Sequence, residues 1–211
     1  MKKTFVFFAV AAALLFAGNT QAQRLAINLG YAPQTTTSST TILGKTTTTT
    51  DDMAGFFAGF DYNIPLTNYF GLAFGAQARY NYKSSSTTLL SVTTTTKRTQ
   101  ILVDVPVLLN FGIRLGNDAR LTVFAGPVVS YALKGNTNVS ENALNTSTDY
   151  NWYGEKSDNQ QLDLLGAVGV SFDYQVFRLF GGYRMGFLDL DKSDAVKATT
   201  SGLFFGLGYI L

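Results

Sequence analysis

Charged residues of both signs are interspersed in segments that otherwise alternate between large apolar and small side chains. They are Arg24, Asp61, Arg79, Asp104, Arg120, Asp163, Asp173, Arg178 and Arg184. If these side chains share one enclosed face, guanidinium forks and carboxylates can form a network of buried ion pairs. The same residues can instead line a path for ions. The choice depends on the width of the fold that holds them.

Two further clusters lie between those segments. Asp189, Asp191 and Asp194 offer oxygen ligands for a hard cation such as Ca²⁺, but the spacing and glycine of an EF-hand loop are missing, which favours a solvated acidic loop. Tyr150, Trp152 and Tyr153 bring three aromatic rings together. Such rings can anchor a partner or a sugar, pack against neighbouring loops, or lie on a membrane surface. The sequence predicts no metal and no cofactor.

The segments that carry the charges have a period of two, which is typical of β-strands. In residues 70–82 the even positions are Phe, Leu, Ala and Tyr, whereas the odd positions include Gly, Gln and Arg. Residues 100–113 alternate in the same way, and six more segments follow the pattern: 24–32, 53–64, 120–134, 160–173, 177–188 and 201–211. Most of the eight predicted strands reach the ~10 residues with which a tilted strand crosses a bilayer.

The connections between these strands alternate between long and short. Long ones are predicted at 33–52, 83–98, 135–159 and 189–200, and short ones at 64–68, 114–119 and around Tyr174. This pattern predicts an all-β fold, an eight-stranded antiparallel up-and-down transmembrane β-barrel. Threonine runs fill the first two long connections, where β-branched, hydrated residues can prolong the strands above the lipid.

The small and charged face is predicted to point inward. A soluble lipocalin-like barrel would show water many long polar side chains, but this second face is mostly Gly, Ala and Ser. An eight-stranded barrel is barely wide enough for its own side chains, so the ion-pair network is favoured over an ion path. Aromatic residues are expected to face lipid near both rims; they are Tyr31, Tyr62, Phe70, Tyr80, Tyr82, Phe111, Tyr131, Tyr174, Phe177 and Tyr209. Pro127 predicts a bulge around residues 125–129, and Pro106 raises the same problem.

The N-terminus has the features of a secretory signal peptide. Lys2 and Lys3 precede an apolar stretch from Phe5 to Gly18, and small residues follow at Thr20 and Ala22. Cleavage is predicted after residue 22, so one domain spans 23–211. Loss of the two lysines from 16 basic residues leaves equal numbers of acidic and basic side chains, which predicts no nucleic-acid partner.

The mature chain resembles small OmpX/OmpA-type barrels and, more closely, the PorT-like porin-family "outer membrane protein β-barrel" proteins of Bacteroidetes. The resemblance rests on the signal peptide, the eight alternating strands and the ending GLFFGLGYIL. Within that ending, Gly206, Tyr209 and Leu211 match the glycine, aromatic and terminal apolar positions of the barrel-assembly signal. The resemblance implies a bacterial outer-membrane location with both termini in the periplasm.

The sequence is compatible with three functions. The leading expectation is a non-enzymatic, monomeric protein that contacts outer-membrane lipid, uses the barrel-assembly machinery, and serves envelope structure or meets an extracellular partner through its long loops. The alternative is a narrow, porin-like channel for ions or small solutes. The third is an enzyme that acts on outer-membrane lipid. The families of barrel enzymes that such a protein would resemble rely on a histidine for catalysis, and this chain contains neither histidine nor cysteine.

Overall fold

The computed structural model describes residues 24–42, 45–89, 92–141, 146–153, 159–191 and 196–211. The predicted signal peptide, Gln23 and Asp194 lie outside these ranges. The ten strands are β1 (Arg24–Tyr31), β2 (Gln34–Ile42), β3 (Lys45–Pro65), β4 (Phe70–Leu89), β5 (Val92–Leu115), β6 (Ala119–Glu141), β7 (Thr146–Asn151), β8 (Leu162–Tyr174), β9 (Phe177–Gly186) and β10 (Val196–Ile210). No helix among these described residues is long and apolar enough to cross a membrane.

The strands close into a ring of eight antiparallel wall segments, as the sequence predicted; we call each segment of the barrel wall a stave. β1 and β2 form one stave, interrupted at Ala32 and Pro33, and each pairs with both β3 and β10. From β3 the ring continues through β4, β5, β6, β8 and β9 to β10. β7 stands outside it and, among the described strands, pairs only with β6.

Side chains alternate along each stave between the outer surface and the interior. On β10, Leu203, Phe205 and Leu207 are 62%, 56% and 58% exposed, whereas Gly206 and Gly208 between and beyond them are buried. The aromatic residues predicted to face lipid all lie on the outer surface. Tyr31 and Tyr62 are more covered than the others because they pack against outer phenylalanines. Apolar surface facing outward is stable only in an apolar solvent, so this arrangement suits a bilayer.

One end of the barrel carries short turns and the other carries long strand extensions. The turns at 66–69, 116–118 and 175–176 lie with Arg24 and Leu211 at one end, which is called the short-turn end. Gly116 takes a positive φ of 83° there, a conformation that suits glycine. The opposite, long-loop end is built from the extended parts of β2 to β6 and from β7.

The threonine runs form ordered hairpins at the long-loop end. Hydroxyl groups pair across β2 and β3 at Ser39 and Thr48 (3.1 Å) and at Thr41 and Thr46 (3.0 Å). The β4–β5 hairpin repeats this arrangement with Ser86 and Thr95, and with Thr88 and Thr93, each pair 3.0 Å apart. The predicted long connections 33–52, 83–98 and 135–159 therefore contain much strand, because threonine both favours extended backbone and pairs across it.

The predicted bulge around residues 125–129 is wrong. Pairing of β5 with β6 keeps one register from Pro106 opposite Val128 to Leu109 opposite Ala125, although the two pairs between them are missing. Proline lacks the N–H that such pairs need, so the ladder is interrupted without shifting. The register shift lies instead at Ile101 and Leu102, which pair with Lys134 and Ala132 and leave Leu133 as the extra residue.

Candidate functional site: the barrel interior and the long-loop mouth

A cluster of buried ions spans the interior toward the long-loop end. Arg79 on β4 points inward with the parity of the buried Gly71, Ala73 and Gly75, and Asp104 on β5 points inward with the parity of the buried Gln100. The Nε and Nη2 atoms of Arg79 donate to Oδ2 and Oδ1 of Asp104 over 2.9 and 3.2 Å. Arg184, reaching across from β9, donates from Nη1 to Oδ2 of the same carboxylate over 3.0 Å. We call Arg79, Asp104 and Arg184 the central ion cluster.

Polar side chains complete the hydrogen bonding of this cluster. Ser130 on β6 donates to Oδ1 of Asp104 over 2.6 Å, and Arg79 donates from Nη1 to Oε1 of Gln34 on β2 over 2.6 Å. The Asp104 side chain is completely enclosed and that of Arg79 is 2% exposed. Buried charges are tolerated only when paired and hydrogen-bonded in this way. Residues from five staves are therefore tied together across the ring.

Asp163 lies beside the central ion cluster without joining it. Its Oδ2 atom accepts a hydrogen bond from Thr200 over 2.5 Å, and its buried Oδ1 atom has no partner among the described residues. With Asp163 ionised, two carboxylates balance the two arginines at this level. A cavity of about 20 Å³ adjoins Arg79, Ser130 and Asp163, which is enough space for a single water molecule.

A second group of ions lies toward the short-turn end. Arg178 on β9 bridges two carboxylates, donating to Asp173 over 2.8 Å and to Asp61 over 2.9 Å. Asn28 donates a further hydrogen bond to Oδ1 of Asp61. Arg24 and Arg120, also on inward positions, are partly exposed at the same end. All nine charged residues singled out in the sequence thus lie on the inner face, in two levels.

Between the two levels, phenylalanine rings fill the interior, a feature that the sequence analysis missed. Phe57, Phe124, Phe180 and Phe204 point inward, and their ring centroids form a chain of contacts 6.0 to 6.5 Å apart. The guanidinium carbon of Arg184 lies 5.6 Å from the centroid of Phe204, within the range of a cation–π contact. A cavity of about 90 Å³ remains beside these rings.

Glycines on neighbouring strands make room for these rings. A Cβ atom on Gly206 would lie 2.7 Å from Cζ of Phe180, and one on Gly182 would lie 2.8 Å from Cζ of Phe204. Each inward phenylalanine also has a glycine two residues away on its own strand, at Gly55, Gly59, Gly126, Gly182, Gly202 or Gly206. That shared parity is the sequence signal that identifies these rings as interior.

The long-loop end opens into a cavity of about 310 Å³, which we call the vestibule. Its walls come from β2, β3, β5 and β6 and from the turn after β7; lining residues include Thr36, Ser38, Asp51, Arg98, Thr137, Trp152, Tyr153, Asn159, Gln160 and Asp191. Tyr153 lies at its base, where the hydroxyl accepts a hydrogen bond from Nε2 of Gln100 over 2.7 Å. Burial raises the pKa of the Tyr153 phenol above its ordinary value despite that hydrogen bond, so it stays neutral at pH 7.

Asp51 ties together the β2–β3 and β4–β5 hairpins, which separate above the barrel wall. The last pair between β3 and β4 is Ala54 with Tyr82, and beyond it the described parts of the two strands diverge. The carboxylate of Asp51 bridges the gap to Lys83 over 2.5 Å and to Arg98 over 2.6 Å. Partial burial acts to raise the pKa of Asp51, but the hydrogen bond from Lys83 and the charge of Arg98 outweigh it and hold that pKa below its usual value.

The three loop aromatics do not share one environment. Trp152 and Tyr153 line the vestibule, and the indole N–H of Trp152 donates to Oγ1 of Thr137 over 2.7 Å. Tyr150 lies on β7, is 57% exposed and is not among the vestibule residues. In the acidic loop, Oδ1 of Asp189 accepts hydrogen bonds from the backbone N–H groups of Asp191 and Ala198. In the described part of the chain, no group of three or more acidic side chains could hold a metal ion.

The residues of the predicted assembly signal lie on both faces of β10. Gly206 is buried on the inner face, whereas Tyr209 and Leu211 are exposed on the outer surface. The ring of Tyr209 packs edge-on against Phe177, and the backbone N–H of Leu211 donates to Leu25 over 2.8 Å. The C-terminal strand thus closes the barrel against β1.

Solved structures with a similar outline are distant in sequence. Ail of Yersinia pestis, in complex with the heparin analogue sucrose octasulfate, is 18% identical with a TM-score of 0.43, over 90% of this chain and 99% of Ail. Neisserial surface protein A is 14% identical with a TM-score of 0.42, over 87% and 97% of the two chains. The outer membrane protease OmpT of Escherichia coli is 7% identical with a TM-score of 0.39, over 92% and 99%. Likenesses this distant carry no inference about activity.

The family comparison is more decisive. A comparison with curated protein sequences gives no significant match. The model of the family described as "Outer membrane protein beta-barrel domain" matches residues 18–192, which is most of the chain. The closed antiparallel ring and its outward apolar surface agree with that match. The chain therefore belongs to the outer membrane protein beta-barrel domain family of the bacterial outer membrane.

Proposed function

We propose that this protein is a closed, non-enzymatic barrel that interacts with its surroundings at the cell surface through its long-loop end. The observation that carries the proposal is the central ion cluster. Asp104 holds Arg79 from a neighbouring strand and Arg184 from across the ring, so side chains occupy the cross-section that a channel would need. The phenylalanine layer below and Tyr153 above add two further obstacles.

The lack of enzymatic activity is part of the proposal. The sequence supplies no histidine or cysteine as base or nucleophile. The carboxylates of Asp61, Asp104 and Asp173 are engaged by arginines inside the barrel. Analysis of lipid A and phospholipids from cells that overexpress the protein tests this point, since a modified lipid in those cells and not in control cells would establish an enzyme.

The orientation is inferred from the asymmetry of the two ends. Outer-membrane barrels have short periplasmic turns and longer extracellular loops, which puts Arg24 and Leu211 in the periplasm and the vestibule outside. We expect the protein to be a monomer surrounded by outer-membrane lipid and assembled by the barrel-insertion machinery. The narrower affiliation with PorT-like proteins of Bacteroidetes stays a prediction. An epitope inserted between β2 and β3 should be detected on intact cells, whereas one inserted at 116–118 should not.

Conductance of the purified protein in a planar bilayer tests the closed interior. The proposal predicts few or no stable openings over a wide voltage range. A steady, sizeable conductance would instead establish the porin-like channel. Removal of the long loops should leave the conductance unchanged, because the central ion cluster lies inside the barrel and not in the loops.

A further inference from the structure

The vestibule has the features of a preformed ligand site. Most of its wall belongs to paired strands, such as Thr36 and Ser38 on β2 and Arg98 and Gln100 on β5. A volume of about 310 Å³ is at the small end of the range of ligand pockets.

The two aromatic rings in the vestibule are held in fixed positions. Hydrogen bonds fix the indole N–H of Trp152 to Thr137 and the hydroxyl of Tyr153 to Gln100. Both rings rest against the backbone of Gly135, where a Cβ atom would lie 2.7 Å from Trp152 and 2.8 Å from Tyr153. A ring fixed by its polar atom and supported from behind is a rigid, flat apolar surface, which reduces the entropy lost on binding.

Most of the rest of the lining is polar, with Met53, Leu190 and Ala198 as its apolar members, and it carries one more acidic than basic side chain. Thr36, Ser38, Asn159 and Gln160 supply hydroxyl and amide groups, which both donate and accept hydrogen bonds. The charged side chains of the lining are Asp51, Asp191 and Arg98, and Arg98 is already bound to Asp51. A polyanion therefore meets no surplus of positive charge, and an acyl chain meets too little apolar surface.

We propose that the vestibule binds an uncharged saccharide, with Trp152 and Tyr153 contacting the C–H face of a sugar ring and the surrounding hydroxyl and amide groups binding its hydroxyls. Sugar rings combine an apolar face with a rim of donors and acceptors, which is the complement of this lining. The volume suits a mono- or disaccharide unit of a longer glycan. This inference rests on the proposed function, because it takes the long-loop end as the interacting end.

The single tryptophan of the chain makes the test direct, since all tryptophan emission of the folded protein comes from a residue that lines the vestibule. The full mature protein in detergent is titrated with maltose, cellobiose and chitobiose and with a sulfated disaccharide, by Trp152 emission and by isothermal titration calorimetry. At least one uncharged disaccharide should bind saturably with a Kd of about 1 mM or tighter. Thr137→Val, which frees the indole N–H, should weaken binding about fivefold or more, and Asn159→Ala should also weaken it. Tyr150→Ala changes an exposed tyrosine that does not line the vestibule and should bind like the wild type.

Three results would overturn the inference: no saturable binding of any of the three uncharged sugars, binding of the sulfated sugar alone, or equal affinity in the wild type and both vestibule variants. Conductance of the same preparation separates the two proposals. An open channel contradicts the closed barrel whatever the sugars do, whereas a closed barrel without sugar binding contradicts only the saccharide site.

Discussion

Arg79 and Asp104 form a bidentate ion pair across the β4–β5 ladder, with both side chains enclosed by the barrel. The same carboxylate also holds Arg184 at 3.0 Å. Such a site is costly to break, because removal of the anion takes from two buried cations the one carboxylate that binds both.

Asp104→Asn should therefore destabilise the folded barrel strongly. We expect the free energy of unfolding to fall by about 3–5 kcal/mol, the usual cost of leaving a buried charge unpaired. Urea unfolding of the refolded protein in detergent, followed by Trp152 fluorescence, measures the change. Asp51→Asn is the matched control, since that carboxylate also binds two cations but is partly exposed. Its loss should be about 1 kcal/mol or less, and equal losses in the two variants would contradict the burial argument.

The contribution of Asp51 should depend on pH. Its pKa is lower in the folded protein than its ordinary value of 3.8, so its stabilising effect is complete above that value and is lost as the pH falls through the lower folded pKa. The difference in urea midpoint between the wild type and Asp51→Asn should be present at pH 7 and should shrink below pH ~3.8. A difference that persisted unchanged in acid would show that the carboxylate charge is not its source.

Glycine on the inner face should be far less replaceable than glycine on the outer face. Gly182 and Gly181 are neighbours on β9, and a Cβ on Gly182 would lie 2.2 Å from the Val168 carbonyl oxygen and 2.8 Å from Phe204. On Gly181 the nearest atom would be 3.2 Å away. Gly182→Ala should destabilise the barrel by about 1–3 kcal/mol through overpacking, and Gly181→Ala by clearly less. The two variants are compared by the temperature at which each loses the gel mobility of the folded protein. If Gly181→Ala lost it at a lower temperature than Gly182→Ala, the inward assignment of Gly182 would be refuted.

The C-terminal residues offer a prediction about assembly rather than stability. Tyr209 and Leu211 are exposed on the outer surface, so Leu211→Asp removes little packing. If Leu211 belongs to the assembly signal, the variant should reach the outer membrane in much smaller amounts, while the free energy of unfolding of the refolded protein stays within about 0.5 kcal/mol of the wild-type value, the usual effect of a surface substitution. Normal amounts in isolated outer membranes would remove Leu211 from the signal.

The strands and their two faces could be predicted because both depend on a local period of two. A strand such as 100–113 shows its faces without reference to any other part of the chain. The layer of phenylalanines was missed because all large apolar residues were assigned to the lipid face. Phe204 has the same parity as Gly202 and Gly206, and that parity, not its apolar character, decides where it points.

Contacts across the barrel could not be predicted in the same way. Whether Arg184 reaches Asp104 or another carboxylate depends on the stagger of β9 relative to β5, and these strands do not pair. Stagger is a property of the closed ring and not of any one segment. The vestibule is a similar case, since Thr36, Arg98 and Trp152 meet only after the extended hairpins have formed.

The reactivity of single cysteines gives the most direct measurement of the closed interior. The natural chain contains no cysteine, so each introduced thiol is a unique reporter. Ala73 is a buried residue that lines the cavity of about 90 Å³ beside the phenylalanine rings, on the short-turn side of the central ion cluster, whereas Thr36 lines the vestibule. With a charged, water-soluble thiol reagent on the folded protein, Thr36→Cys should be labelled rapidly and Ala73→Cys should be labelled only after unfolding. Equally rapid labelling of Ala73→Cys in the folded barrel would contradict the account, because it would show that water and the reagent enter an interior that the side chains are proposed to fill.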